Sequence, residues 1–334
     1  MIMGKNIEKI IANNEVDIKE NLIYKLDKKL LEILLKDRSS KKNIIWATDN
    51  YQSKGNGYYE YQEITIPSIT GKFGSVIKPR IEKSKVEQEK RIKTKAEVFT
   101  PSWVCNNQNN LVDNAWFGRE NVFNTENGKT WITNNDKIIF PEGKTWRDYV
   151  NSNRLEITCG EAPYLTSRYD TTTGIWLDVN ERIGLLDRKI RVINENTNNE
   201  DEWLNWVYNA YKSIYGFEWQ GDSLLIAREN LLFTFIDYYF DRFKMIPSKE
   251  KLVEIANVIS WNIFQMDGLK FVIPNSCKPI PKMQISLFDK DEELEECQGC
   301  LKDDYHNHTG IYCKVMDWEK NKSVKFIDLL KEKN

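Results

Sequence analysis

The stretch Leu155-Glu156-Ile157-Thr158-Cys159-Gly160-Glu161-Ala162-Pro163-Tyr164-Leu165 constrains this chain more than any other. Leu155 to Ile157 has the character of the end of a short buried strand. Cys159-Gly160 supplies a small-residue turn where backbone can come close to a ligand. A second strand-like segment, Asn262-Ile263-Phe264-Gln265-Met266-Asp267, ends in a carboxylate. A strand, a tight turn and an acid at a later strand end form the arrangement with which doubly wound α/β folds hold a nucleoside at their strand C-termini. Neither segment would carry that expectation alone.

Apolar spacings of three and four predict helices around these strands. Residues 17–37 place Leu22, Ile23, Leu26, Leu30, Ile33 and Leu34 on one face, with Asp17 as a cap. Further helices are expected over 181–193, 202–215, 223–243 and 249–261, the third with a broad apolar face suited to packing on a sheet. Asn43 to Ala47, Glu63 to Ile66 and Lys137 to Phe140 are expected strands. Gly310 to Trp318 is expected to return to a strand ending in Asp317-Trp318, and no internal repeat is visible.

At 334 residues the chain is long enough for one large or two ordinary domains. Its 40% hydrophobic content and 40 aromatic residues (11 Trp, 15 Tyr, 14 Phe) exclude a disordered protein. A formal net charge of −2 excludes a globally basic nucleic-acid binder but leaves room for a local basic face. No apolar run reaches the ~18 residues needed to cross a bilayer, and no signal-peptide core follows Met1, so a cytoplasmic location is expected. A reducing cytosol would keep the six cysteines as thiols.

Two segments depart from the average. Lys78, Arg80, Lys83, Lys85, Lys90, Arg91, Lys93 and Lys95 face only Glu82, Glu87 and Glu89, so 78–95 suits either phosphates or a solvated linker helix. Residues 277–310 contain an acidic run (Asp289, Asp291, Glu292, Glu293, Glu295, Glu296), both histidines and three cysteines. Zinc needs four soft ligands, and Cys297, Cys300 and Cys313 with Cys277 or a histidine would supply them. With a single Cys-x-x-Cys pair, an ordinary surface loop fits the same residues.

Taken together, the segments resemble the cofactor-binding part of an adenine-N6 DNA methyltransferase of restriction-modification systems, the modification subunit. Ala96-Glu97-Val98-Phe99-Thr100-Pro101 resembles that family's Phe/Tyr-Thr-Pro motif beside S-adenosylmethionine. Residues 155–165 resemble its Leu-Glu-Pro-Ser-Cys-Gly-x-Gly-x-Phe-Leu turn, departing at Ile157, Thr158 and, where glycine is usual, Ala162. Asp267 is similar to the acid that bonds the ribose hydroxyls, and Asp317 and Trp318 look like the following strand's contact to the adenine ring. The resemblance covers roughly 94–320 and implies a cofactor site of Phe99, Thr100, Pro101, Glu156, Cys159, Gly160, Asp267, Asp317 and Trp318. It also implies an α/β fold with an incomplete Rossmann-like class I methyltransferase sheet.

The family's Asn-Pro-Pro-Tyr motif, which grips the flipped adenine, is missing, and no Pro-Pro pair occurs anywhere. The expected organisation is a helical N-terminal region with a small β loop (1–93), a methyltransferase core (94–276), a Cys/His insertion (277–310), and a last core strand with a tail (311–334). The expected function is a split enzyme: this chain supplies the S-adenosylmethionine pocket, while a second chain brings the catalytic motif and target recognition on DNA. The alternative is a degenerate methyltransferase fold kept as a DNA-binding or assembly subunit. The sequence offers no obvious Ser-His-Asp set and no convincing Asp…Glu-x-Lys nuclease site.

Overall fold

The computed structural model describes residues 16–95, 97–281 and 294–330. Ala96 of the Phe-Thr-Pro segment and the acids Asp289 to Glu293 of the insertion therefore lie outside the described residues.

The helical pattern expected over 17–37 forms two helices, α1 (Glu20–Leu26) and α2 (Lys28–Leu35). Asp27 separates them: its backbone is extended, and its side chain accepts the Lys29 amide at 2.9 Å, capping the second helix. Lys19, not Asp17, precedes the first helix. Residues 44–47 and 62–64 run antiparallel through the Trp46 and Ile64 amides, but as an isolated bridge in place of the two expected strands, and Ile66 already belongs to a helix. Short α3 (Ile66–Ile69) and then α4 (Lys85–Lys95) follow.

Pro101 opens α5 (Ser102–Phe117), whose Gly118 cap is left-handed. β1 (Asn124–Asn127) and β2 (Thr130–Thr133) form a hairpin. Lys137 to Phe140 is not a strand: the Ile138 amide bonds the Glu195 carboxylate at 2.8 Å and finds no ladder partner. α6 (Trp146–Asn151), held by a Thr145–Asp148 capping box, leads into β3 (Arg154–Glu156).

Next come α7 (Leu185–Asn196), α8 (Glu200–Lys212), β4 (Ile214–Glu218), α9 (Gly221–Phe243), α10 (Lys249–Asn262) and β5 (Ile263–Gln265). β3, β4 and β5 form a parallel sheet in that order, with Glu156 opposite Gly216 and Glu218 opposite Gln265. Parallel neighbours need crossover connections, and helices occupy both of them. Among the described residues β3 pairs on one side only. β4 was not expected from the sequence, because its apolar residues continue the pattern of α8.

The chain is thus a mixed α/β protein with small sheets. α9 is buried nearly all round, from Gly221 to Tyr239, and forms the axis of the core. One apolar cluster joins Leu30, Leu34 and Trp46 to Trp203, Leu225 and Ile259, so packing does not divide at residue 93. Removing Trp203, fully buried, would cost ~3–5 kcal/mol.

The remaining elements are β6 (Ile280–Pro281) paired with β7 (Leu294–Glu295), α11 (Gln298–Lys302), and the antiparallel hairpin of β8 (Lys314–Asp317) and β9 (Lys322–Lys325). Gly310 to Trp318 therefore does not extend the parallel sheet: among the described residues β8 pairs only with β9. A second apolar cluster, Phe217, Phe264, Met266, Ile273, Cys313 and Val315, seats this hairpin. No helix among the described residues is long and apolar enough to cross a membrane.

Candidate functional site

The turn after β3 is held by side chains at the ends of β3 and β4. Glu156 accepts the Tyr164 and Leu165 amides at 3.3 and 3.1 Å. Glu218 accepts the Gly160 amide at 2.9 Å with one oxygen and the Gln220 amide at 3.1 Å with the other. Glu161 accepts the Arg80 amide and the Tyr169 hydroxyl. Three turn residues are left-handed: Thr158, Gly160 and Ala162, with φ of 48°, 53° and 62°. At Thr158 and Ala162 this costs roughly 1–2 kcal/mol each, strain of the kind that collects at functional sites. Ala162 thus holds a left-handed conformation that glycine adopts without strain.

Above this turn lies a cavity of about 820 Å³. Glu97 to Thr100 form one wall, α5 a second through Gln108, Asn109 and Val112, and Glu218 to Gln220 with Ser223 a third. Phe99 lies beside Gly160, its ring 3.8 Å from where a Cβ would stand there. Glu97, Glu156, Glu161 and Glu218 all line the cavity, and none of its described lining residues is Lys, Arg or His. Burial pushes the Glu156 carboxyl up to about 8 and raises those of Glu161 and Glu218 as well. The Ser223 hydroxyl is buried in the wall with no hydrogen-bond partner among the described residues. Cys159 is buried, and burial raises its thiol well above the usual range, which removes it as a nucleophile.

Of the residues expected around a cofactor, Phe99, Thr100, Glu156, Cys159 and Gly160 meet here. Pro101 does not line the cavity; it precedes α5 and accepts the Val104 and Cys105 amides. Asp267 lies beyond the third strand, where it accepts the Leu269 and Lys270 amides and so closes its own turn. The acid at the second strand end, next to Gly160, is Glu218. Asp317 and Trp318 line a different cavity of about 810 Å³ on the other side of Leu155, and the Trp318 indole bonds Asn262 at 2.9 Å. Sequence reasoning missed Glu218, Trp219, Gln220 and Ser223. The signal available was Ile214-Tyr215-Gly216-Phe217-Glu218, an apolar run ending in an acid.

The basic stretch is partly withdrawn from solvent. Lys83 and Arg91 are buried and paired with Asp222, which also accepts the Tyr51 hydroxyl at 2.7 Å; Arg91 pairs with Glu97 as well. Burial opposes ionisation of Asp222, but the two cations outweigh it and hold the carboxyl far below the usual range. Lys85, Lys90 and Lys93 stay exposed beside exposed Glu82 and Glu89.

A second group of side chains is disposed to hold a metal ion. Cys277, Cys297, Cys300 and His308 bring their ligand atoms within 4.8 Å of one another. Cys313 is not among them: it is fully buried in the second apolar cluster, its thiol 3.2 Å from the Gln265 carbonyl. Its place is taken by His308. No protein-family profile, curated protein or solved structure matches this chain.

Proposed function

We propose that the chain binds S-adenosylmethionine in the cavity above β3 and β4 and serves an adenine-N6 DNA methyltransferase of the restriction-modification kind. The observation that carries this is the make-up of the cavity wall: four carboxyl groups, of which only Glu97 is paired with a cation, Arg91, and no Lys, Arg or His among the described lining residues. Most nucleoside cofactors held at the strand ends of α/β sheets carry phosphates, which need cations or a helix N-terminus. A sulfonium with an amino-acid tail has the opposite requirement, and carboxylates meet it. The strand order β3-β4-β5 is compatible with one half of a Rossmann-like class I sheet, with the free side of β3 open to further strands.

The residues present fit the cofactor. Glu218, fixed beside the Gly160 amide, suits the ribose diol; Phe99 offers an aromatic wall; Ser223 brings an unpartnered hydroxyl. Glu156 keeps the turn closed and, on ionising, would offset the charge of the sulfonium or of the tail's ammonium group. The bound cofactor supplies an electrophilic methyl group, and the chain's part is to position it and exclude water, which is most of what such a transfer requires. The amine-gripping Asn-Pro-Pro-Tyr is absent from these residues, and the proposal assigns it, with target recognition on DNA, to a second chain.

Calorimetry tests this. S-adenosylmethionine should bind saturably to the chain, with NAD and ATP binding far more weakly. Labelled methyl transfer to DNA adenine should then require addition of the chain encoded next to it. Failure to bind S-adenosylmethionine, or preference for a phosphate-bearing nucleotide, would refute the proposal.

A further inference from the structure

The Cys/His cluster is built from two separate segments. Cys277 follows the Asp267–Ser276 turn after β5, whereas Cys297 and Cys300 sit at the start of α11 and His308 lies in the loop beyond it. Nδ1 of His308 is 3.7 Å from the Cys277 sulfur and 3.6 Å from each of the Cys297 and Cys300 sulfurs. Bond lengths of about 2.3 Å to sulfur and 2.0–2.1 Å to nitrogen put the S···N edge of a zinc tetrahedron at about 3.6 Å. The imidazole nitrogen thus stands at the vertex such an ion requires.

The surroundings are fitted to that vertex. The Thr309 amide donates to the Cys297 sulfur at 3.2 Å, and Lys278 and Thr309 exchange hydrogen bonds that tie the two segments together. A Cβ at Gly299 would come within 2.6 Å of His308 Nδ1, and one at Gly310 within 3.0 Å of the Cys277 sulfur, so both positions leave room only for glycine. Three thiolates and a neutral imidazole around a divalent ion carry one net negative charge. Lys270, on the turn after β5, directs its ammonium to the Cys300 sulfur at 3.5 Å and offsets it.

We infer that Cys277, Cys297, Cys300 and His308 bind one zinc ion in a closed, structural tetrahedral site. Four protein ligands leave no open position for substrate, which separates this site from catalytic zinc. Its role is to clamp the Cys297–His308 segment onto the turn that follows β5. Each ligand thiol gives up its proton on binding, and no redox change is involved.

The test is metal analysis of the full chain purified without chelators. One zinc per chain is expected, lost in Cys297→Ser and His308→Ala and kept in Cys313→Ala. Less than a tenth of a zinc per chain, iron in its place, or loss in Cys313→Ala to the same degree as in Cys297→Ser would overturn the assignment. If the ligand variants fail to fold, the unmodified protein still decides it: titration with a thiol reagent should release zinc to a chelating dye as the ligand thiols react. Complete thiol modification without release would overturn the assignment equally.

Discussion

Glu156→Gln should change how stability depends on pH. In the folded chain burial lifts this carboxyl from 4.5 to about 8. Between those values the native state keeps a proton that the unfolded chain has released, so stability falls as pH rises, by ~1.4 kcal/mol per pH unit. Carried to pH 9, the loss reaches roughly 4–5 kcal/mol. Glutamine keeps the volume and stays neutral, which removes this slope. It has one acceptor oxygen where Glu156 uses two, for the Tyr164 and Leu165 amides, so one buried amide is left facing an NH₂ at a cost of ~1–2 kcal/mol. The variant should therefore be less stable than the parent at pH 5 and more stable by about 3 kcal/mol at pH 9, the curves crossing near pH 6. Urea denaturation at pH steps from 5 to 9 measures this. Parallel curves for the two proteins would show that Glu156 does not hold a proton in the folded state.

Other outcomes follow from the same cavity and its supports. If a cationic cofactor ionises Glu156, binding near pH 7.5 should release a proton, seen as a dependence of calorimetric heat on the buffer's ionisation enthalpy. Glu218→Gln leaves one of the Gly160 and Gln220 amides facing an NH₂ and should weaken S-adenosylmethionine binding by roughly 10-fold or more, about 1.5–3 kcal/mol, beside a stability loss of ~1–2 kcal/mol. Asp222→Asn strands the buried charges of Arg91 and Lys83 and should cost ~3–5 kcal/mol in denaturant unfolding; a cost below 1 kcal/mol would mean that the three do not act as a unit.

The turn at Cys159-Gly160 was legible because its chemistry is local: small residues, a flanking strand, and Glu156 within reach of the amides eight and nine positions on. The acid facing it was not. Ile214–Glu218 follows α8 directly, and its apolar residues extend the helical pattern of that element, so the second strand was hidden and Asp267 was read as the strand-end acid in the place that Glu218 occupies in space. The break at Asp27 was concealed in the same way by an apolar face that runs on through the kink. In the Cys/His cluster the Cys-x-x-Cys pair and Cys277 were visible in the sequence. Its fourth member depended on the path of the chain, which turns His308 inward and carries Cys313 away into the apolar cluster beneath β8. Lys83 and Arg91 read as surface charges because their partner, Asp222, lies more than 130 residues away.

The one-sided pairing of β3 bears on how the protein behaves when concentrated. Leu155 is 46% and Ile157 65% exposed, beside a row of backbone amides and carbonyls with no neighbouring strand among the described residues. An uncovered apolar edge is a template to which any extended peptide can add. Oligomer size in solution should therefore rise with concentration and fall when Leu155 is replaced by lysine, which sets a practical ceiling on the concentrations at which the chain stays monodisperse.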